Sequence, residues 1–169
     1  MVNLARELPS NLFLKRGCHE SPDEGMCLME SVAYVAGEEH SDRPKCSSPI
    51  LAAIGRGLND RFDDDERQLL APLIHRLVGS RANPEIERKR AYAMADTAIR
   101  EIAPMGLDAV KWTDLADRMR AIAPIVDMSS AQAALAICRE IRSEALGRKP
   151  CTVPARVNSP ESSTLNPMD

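Results

Sequence analysis

The chain has 169 residues, a net charge of −3, and 44% hydrophobic but only 3% aromatic residues. That length suffices for one domain with a real core, which must be built from Leu, Ile, Val, Ala and Met as in helix bundles. The slightly acidic balance argues against broad nonspecific nucleic-acid binding, and no run approaches the roughly 20 apolar residues of a membrane span.

Residues 1–25 carry few periodic apolar positions and read as an irregular arm. Met1 to Glu7 lacks the basic and apolar regions of a signal peptide, so a cytoplasmic protein with reduced cysteines is expected. Gly25 opens an apolar run from Met26 to Ala36, which Gly37 closes in the position expected after a helix C-terminus. Ser48-Pro49 is a good helix start, and Ile50, Leu51, Ile54 and Leu58 give that helix its apolar stripe.

Asp63 to Glu66 places acidic groups at the start of a third helix, where the macrodipole favours them. Apolar spacing then continues from Leu69 to Val78 across Pro72, which predicts a kink or two short helices in succession. Asn83-Pro84 begins a further helix running to Pro104, with Ile86, Ala93, Met94, Thr97 and Ala98 inward. Its Glu85–Arg90 stretch looks like a solvated face with internal ion pairs. Thr113-Asp114 is read as the cap of a shorter helix closed by Pro124, with Trp112 as a packing anchor. Ser129 or Ser130 is read as the cap of the last helix, with Ala134, Leu135, Ile137, Cys138, Ile141 and Leu146 in contact up to Gly147.

No segment shows strand alternation. Residues 148–169 contain four prolines and almost nothing to bury, as in a disordered tail. The expected fold is therefore all-α: one compact domain of about six helices over 1–147, followed by a tail over 148–169.

Reactive residue types concentrate in residues 17–46, which hold three of the five cysteines and two of the three histidines. On a helix, Cys27, Glu30, Ser31 and Tyr34 share one stripe of an element apolar almost all round. Glu30 would then be buried, so its pKa must rise or it must find a partner, with Arg16, His19, Arg43 and Lys45 nearby in sequence. The simplest arrangement pairs it with an arginine and ties the arm to the first helix. An acid–base or ligand role is the sharper alternative.

Cys27, with His19 or His40 as base and Glu30 or Asp42 as orienting carboxylate, has the residue types of thiol catalysis. A helix N-terminus would lower its thiol pKa. His19, Cys27 and Cys46, with Cys18, have the donor types of a zinc site, although only Cys18-His19 is a local pair. Buried structural cysteines explain the same residues more simply. His75 is expected at or near the surface.

The run Gly25-Met26-Cys27-Leu28-Met29-Glu30-Ser31-Val32-Ala33-Tyr34-Val35-Ala36-Gly37-Glu38, with His40-Ser41-Asp42, Pro44 and Cys46, resembles a family of small actinobacterial, phage and prophage proteins. The likeness covers roughly the first hundred residues, through Leu73-Ile74 and Leu77-Val78-Gly79. It implies a mobile-element or phage-associated cytoplasmic setting and carries no catalytic activity with it.

With the common phosphate-loop, nucleophile-elbow and zinc-protease motifs absent, the favoured reading is a non-enzymatic protein that binds a host or phage macromolecule. A metal-binding or thiol-dependent enzyme built on residues 19–46 is the alternative. A DNA-binding accessory protein, using Arg81 and Arg88–Arg90, is the third. A homodimer is compatible with the Ala- and Met-rich helices.

Overall fold

The computed structural model describes residues 4–148, and they form an all-α protein with no strand among them. The expected tail lies outside the described residues except for Arg148. The chain divides into two compact units, Met1–Met94 and Ala95–Asp169.

The first unit is built around α1 (Leu28–Ala36), whose residues Leu28 to Ala33 and Val35 are all buried. The apolar run leaves no polar face, so the helix must be covered on every side. It packs against α2 (Pro49–Arg61) and α4 (Ile74–Leu77). The arm covers another side. Ala5 and Arg6 donate backbone N–H groups to the Val35 carbonyl, and Lys15 donates to Met26.

Leu14, outside any periodic run, is fully buried, which stabilises by about 1.5–3 kcal/mol relative to exposure. Its backbone N–H and carbonyl are both bound by the Gln68 side chain, at 2.8 and 3.1 Å.

The local starts and stops follow sequence chemistry. Ser48 caps α2 with Pro49 at its first position. Asp63 and Glu66 form a capping box for α3 (Asp64–Gln68). Pro72 sits in a 3₁₀ turn, Ala71–Leu73, that separates α3 from α4, so the interrupted apolar stripe is carried by short pieces in succession.

Inside this unit two buried polar groups join elements. Asn59 accepts from the Leu28 N–H at 3.0 Å and donates to the Lys15 carbonyl at 3.0 Å. Arg67, 3% exposed, donates to the carbonyls of Asn59 and Phe62 and pairs with Asp64.

The boundary between the units falls inside α5 (Pro84–Thr97). Glu87 anchors the start of α5, accepting from the Ser48 hydroxyl and the Ala82 N–H. The expected ion pairs are present, Lys89 with Glu85 and Arg90 with Glu87. The expected inner face is only partly realised: Met94 and Thr97 are half-buried, whereas Ile86, Ala93 and Ala98 are exposed.

In the second unit the helical path continues through Pro104, where the sequence predicts its end. A π-helical turn, Ala98–Ile102, leads into α6 (Ala103–Ala109), with the Ala103 N–H donating to Ala98 five residues back. A proline inside an α-helix clashes with the carbonyl four residues earlier, and the wider turn moves that carbonyl aside.

α6 packs on α7 (Thr113–Arg120), and α7 on α8 (Met128–Gly147). Leu115, Met119 and Ile141 form the centre, with Trp112 packed against them as an anchor. Two caps differ from expectation. Trp112, not Thr113, precedes α7, without a side-chain cap bond. Asp127 caps α8, with Ser130 as its reciprocal partner rather than as the cap. On α8, Ala134 and Ile141 are buried, Ile137 and Cys138 half-buried, and Leu135 and Leu146 exposed. Arg148 belongs to this unit: it pairs with Asp114 and Glu144 and lies over the Trp112 ring.

Candidate functional site

The cluster forms at the beginning of α1. Gly25, at φ 128°, lets the chain turn so that Met26 pairs with Leu14 and Cys27 enters the helix in extended conformation. Cys27 is the N-cap. Its Sγ accepts from the Glu30 N–H at 3.4 Å, and Glu30 Oε2 accepts from the Cys27 N–H at 2.7 Å. This is a capping box with cysteine in the place usually held by Ser or Thr. The spacing of Cys27 and Glu30 ahead of an apolar run was the available signal, and the unusual cap residue hid it.

Glu30 is 1% exposed. Besides Cys27 it is met by His19, whose backbone N–H donates to Oε1 at 2.7 Å and whose Nδ1 lies 2.9 Å from Oε2. His40 Nε2 stands 3.8 Å from Oε1 and 3.1 Å from the His19 carbonyl. That carbonyl can only accept, so His40 Nε2 is the donor in this contact. His40 Nδ1 is buried with no hydrogen-bond partner. The partner of Glu30 is thus a histidine and two backbone amides, and the expected arginine is not there.

Burial acts to raise the Glu30 pKa. The N–H groups of Cys27 and His19 and the His19 ring together outweigh it, and the carboxyl lies below its ordinary 4.5. Cys27 moves the other way. Burial pushes its thiol from 9.0 up to about 12, and the neighbouring Glu30 charge adds to the rise against the helix amides. The expected lowering at a helix N-terminus is overturned, because the thiol is sealed from water beside a carboxylate.

Other sequence candidates are held elsewhere. Asp42 lies near Arg56 and Arg43, and its carbonyl accepts from Arg56 at 2.9 Å. Cys46 donates its N–H to Glu38, accepts from Arg81 at its carbonyl, and has a thiol raised chiefly by burial. Cys18 is exposed, and no disulfide forms among the described residues. Ser31 bonds back to the Cys27 carbonyl, and Tyr34 lies under Arg6. His75 is exposed, as expected.

The zinc set of His19, Cys27 and Cys46 is not assembled. Among the described residues no three His, Cys, Asp or Glu side chains are grouped to hold a metal ion. His19 Nδ1 faces Glu30 and the Cys27 sulfur serves as a cap, so both would have to leave existing partners.

Gly37, at φ 72°, closes α1 in the left-handed conformation, with the Glu38 N–H donating to Ala33 and the Gly37 N–H to Tyr34. Glu38 then gathers the following loop by accepting from the Lys45 and Cys46 amides. The loop thereby brings His40 back onto His19. Fold and cluster define an all-α protein whose N-terminal arm is clasped to its first helix through a buried carboxylate. Comparison with protein-family models, with curated proteins and with solved structures finds no match. No helix among the described residues is long and apolar enough to cross a membrane.

Proposed function

We propose that this protein is a non-catalytic helical binding protein, acting in the cytoplasm of an actinobacterium on a host or phage macromolecule. The observation that carries this reading is the occupancy of the reactive cluster. Both Glu30 oxygens already receive N–H donors, and the one sulfur beside them is buried with its pKa at about 12. A group that caps a helix and holds an arm is not available to a substrate. The phage setting rests on the likeness of roughly the first hundred residues alone.

The test is retention from actinobacterial and phage-infected lysates at micromolar protein. A defined macromolecule that is retained, and displaced by excess untagged protein, supports the reading. Its absence from both lysates counts against it.

One observation favours an enzymatic alternative. His19 directs Nδ1 at a buried carboxylate, which in a neutral ring leaves the lone pair on Nε2, as in general bases. A hydrolytic activity lost in His19→Gln and kept in Cys27→Ala would favour that alternative.

A further inference from the structure

The first unit contains a cleft of about 280 Å³ that its own side chains do not fill. Leu51, Ile54 and Leu58, at i, i+3 and i+7 on α2, line one wall, and Leu73 and Leu77 the other. From Leu51 to Leu58 the wall runs for about 10 Å, at 1.5 Å per residue. The lining, which includes Met94, is apolar except for one charged side chain, Arg76. Arg76 is exposed and forms no ion pair with any described residue.

An aliphatic slot with one unpaired guanidinium at its edge selects a ligand with an apolar tail and a single anionic head. A carboxylate matches the planar fork of arginine with two parallel hydrogen bonds. A phosphate monoester brings a second negative charge that one guanidinium does not neutralise. The volume lies near the lower end of small-molecule pockets. A wall about 10 Å long also presents far less surface than the roughly 800 Å² per partner of a stable protein interface.

We propose that the cleft between α2 and α4 binds a small aliphatic monocarboxylate, its chain along Leu51, Ile54 and Leu58 and its head on Arg76. This binding does not depend on a macromolecular partner. The experiment is titration of the methyl-labelled full chain with octanoate and, in parallel, with octan-1-ol at low salt, followed by NMR.

Octanoate is expected to shift the methyl signals of Leu51, Ile54, Leu58 and Leu77 saturably. It should bind several-fold more tightly than the alcohol, as an exposed charge contact allows, with the advantage shrinking as salt is added. Arg76→Gln, at an exposed position, should remove the preference while leaving the alcohol's binding and the melting temperature unchanged. The proposal is overturned by no saturable shift up to millimolar octanoate. Shifts mapping outside the cleft, equal binding of acid and alcohol, or a preference that survives Arg76→Gln would overturn it as well.

Discussion

Glu30 is the residue on which the arm depends, because it satisfies donors from two separate segments in a place water does not reach. Replacing it with Gln keeps the shape but turns an amide toward N–H groups that need an acceptor. Hydrogen bonds to a buried charge are each worth about 1.5–3 kcal/mol, so Glu30→Gln should lower unfolding free energy by about 2–3 kcal/mol in urea. Because the folded-state pKa lies below 4.5, the unfolded chain binds the proton more readily. The carboxylate's contribution is therefore full above pH 4.5 and is lost as pH falls through the folded value. The gap between wild type and Glu30→Gln should narrow in that acidic window, and a gap constant down to pH 3 would contradict the assignment.

Cys27 behaves in the opposite sense. Its folded pKa is raised from 9.0 to about 12, so its contribution is present below pH 9 and is lost as pH climbs toward 12. At pH 8 a thiol reporter should react at Cys18, which is exposed, and leave Cys27 untouched until the chain unfolds. Native labelling of wild type and Cys27→Ala should match, and after denaturation wild type should label one thiol more than Cys27→Ala. Native labelling of Cys27 at the rate of Cys18 would show that the clasp is open.

At the scale of elements, the helices were readable wherever a short-range rule sets their ends. Ser48-Pro49, Asp63 with Glu66, and Gly37 each act on backbone groups within one turn, and each holds the predicted position. Gly37 also meets the arm, since a Cβ there would lie 2.6 Å from the Ala5 Cβ. Gly37→Ala should therefore destabilise by more than the roughly 1 kcal/mol of the left-handed conformation alone, as read from thermal melting. Asp127→Ala, which removes a capping box from an exposed turn, should lower stability by about 1 kcal/mol. Where element boundaries differ from those the sequence predicts, the reason is also local. Proline ends a helix only if the turn before it stays α-helical, and the π turn at Ala98–Ile102 lets the chain pass Pro104. Cysteine is seldom a cap, so Cys27 looked like a nucleophile or a ligand.

For the whole molecule, the two units can be followed separately, because the only tryptophan lies in the second and Cys27 in the first. Leu115→Ala, at a fully buried centre, should shift the Trp112 fluorescence transition by the 2–5 kcal/mol typical of such truncations. The urea concentration at which Cys27 becomes reactive should move much less. Coincident shifts of both probes would mean that the chain unfolds as one cooperative block.

The all-α class and the succession of helices were determined by the sequence, because apolar period, caps and breakers act over a few residues. So was the burial of α1, which has no polar face to leave in water. Only the tertiary structure decided what Glu30 meets, that Leu14 belongs to the core, and that Asn59 and Gln68 hold the arm. These contacts join positions from 11 to 54 residues apart. No local pattern encodes which of several nearby cations and amides will reach a buried carboxylate; the path of the covering loops does.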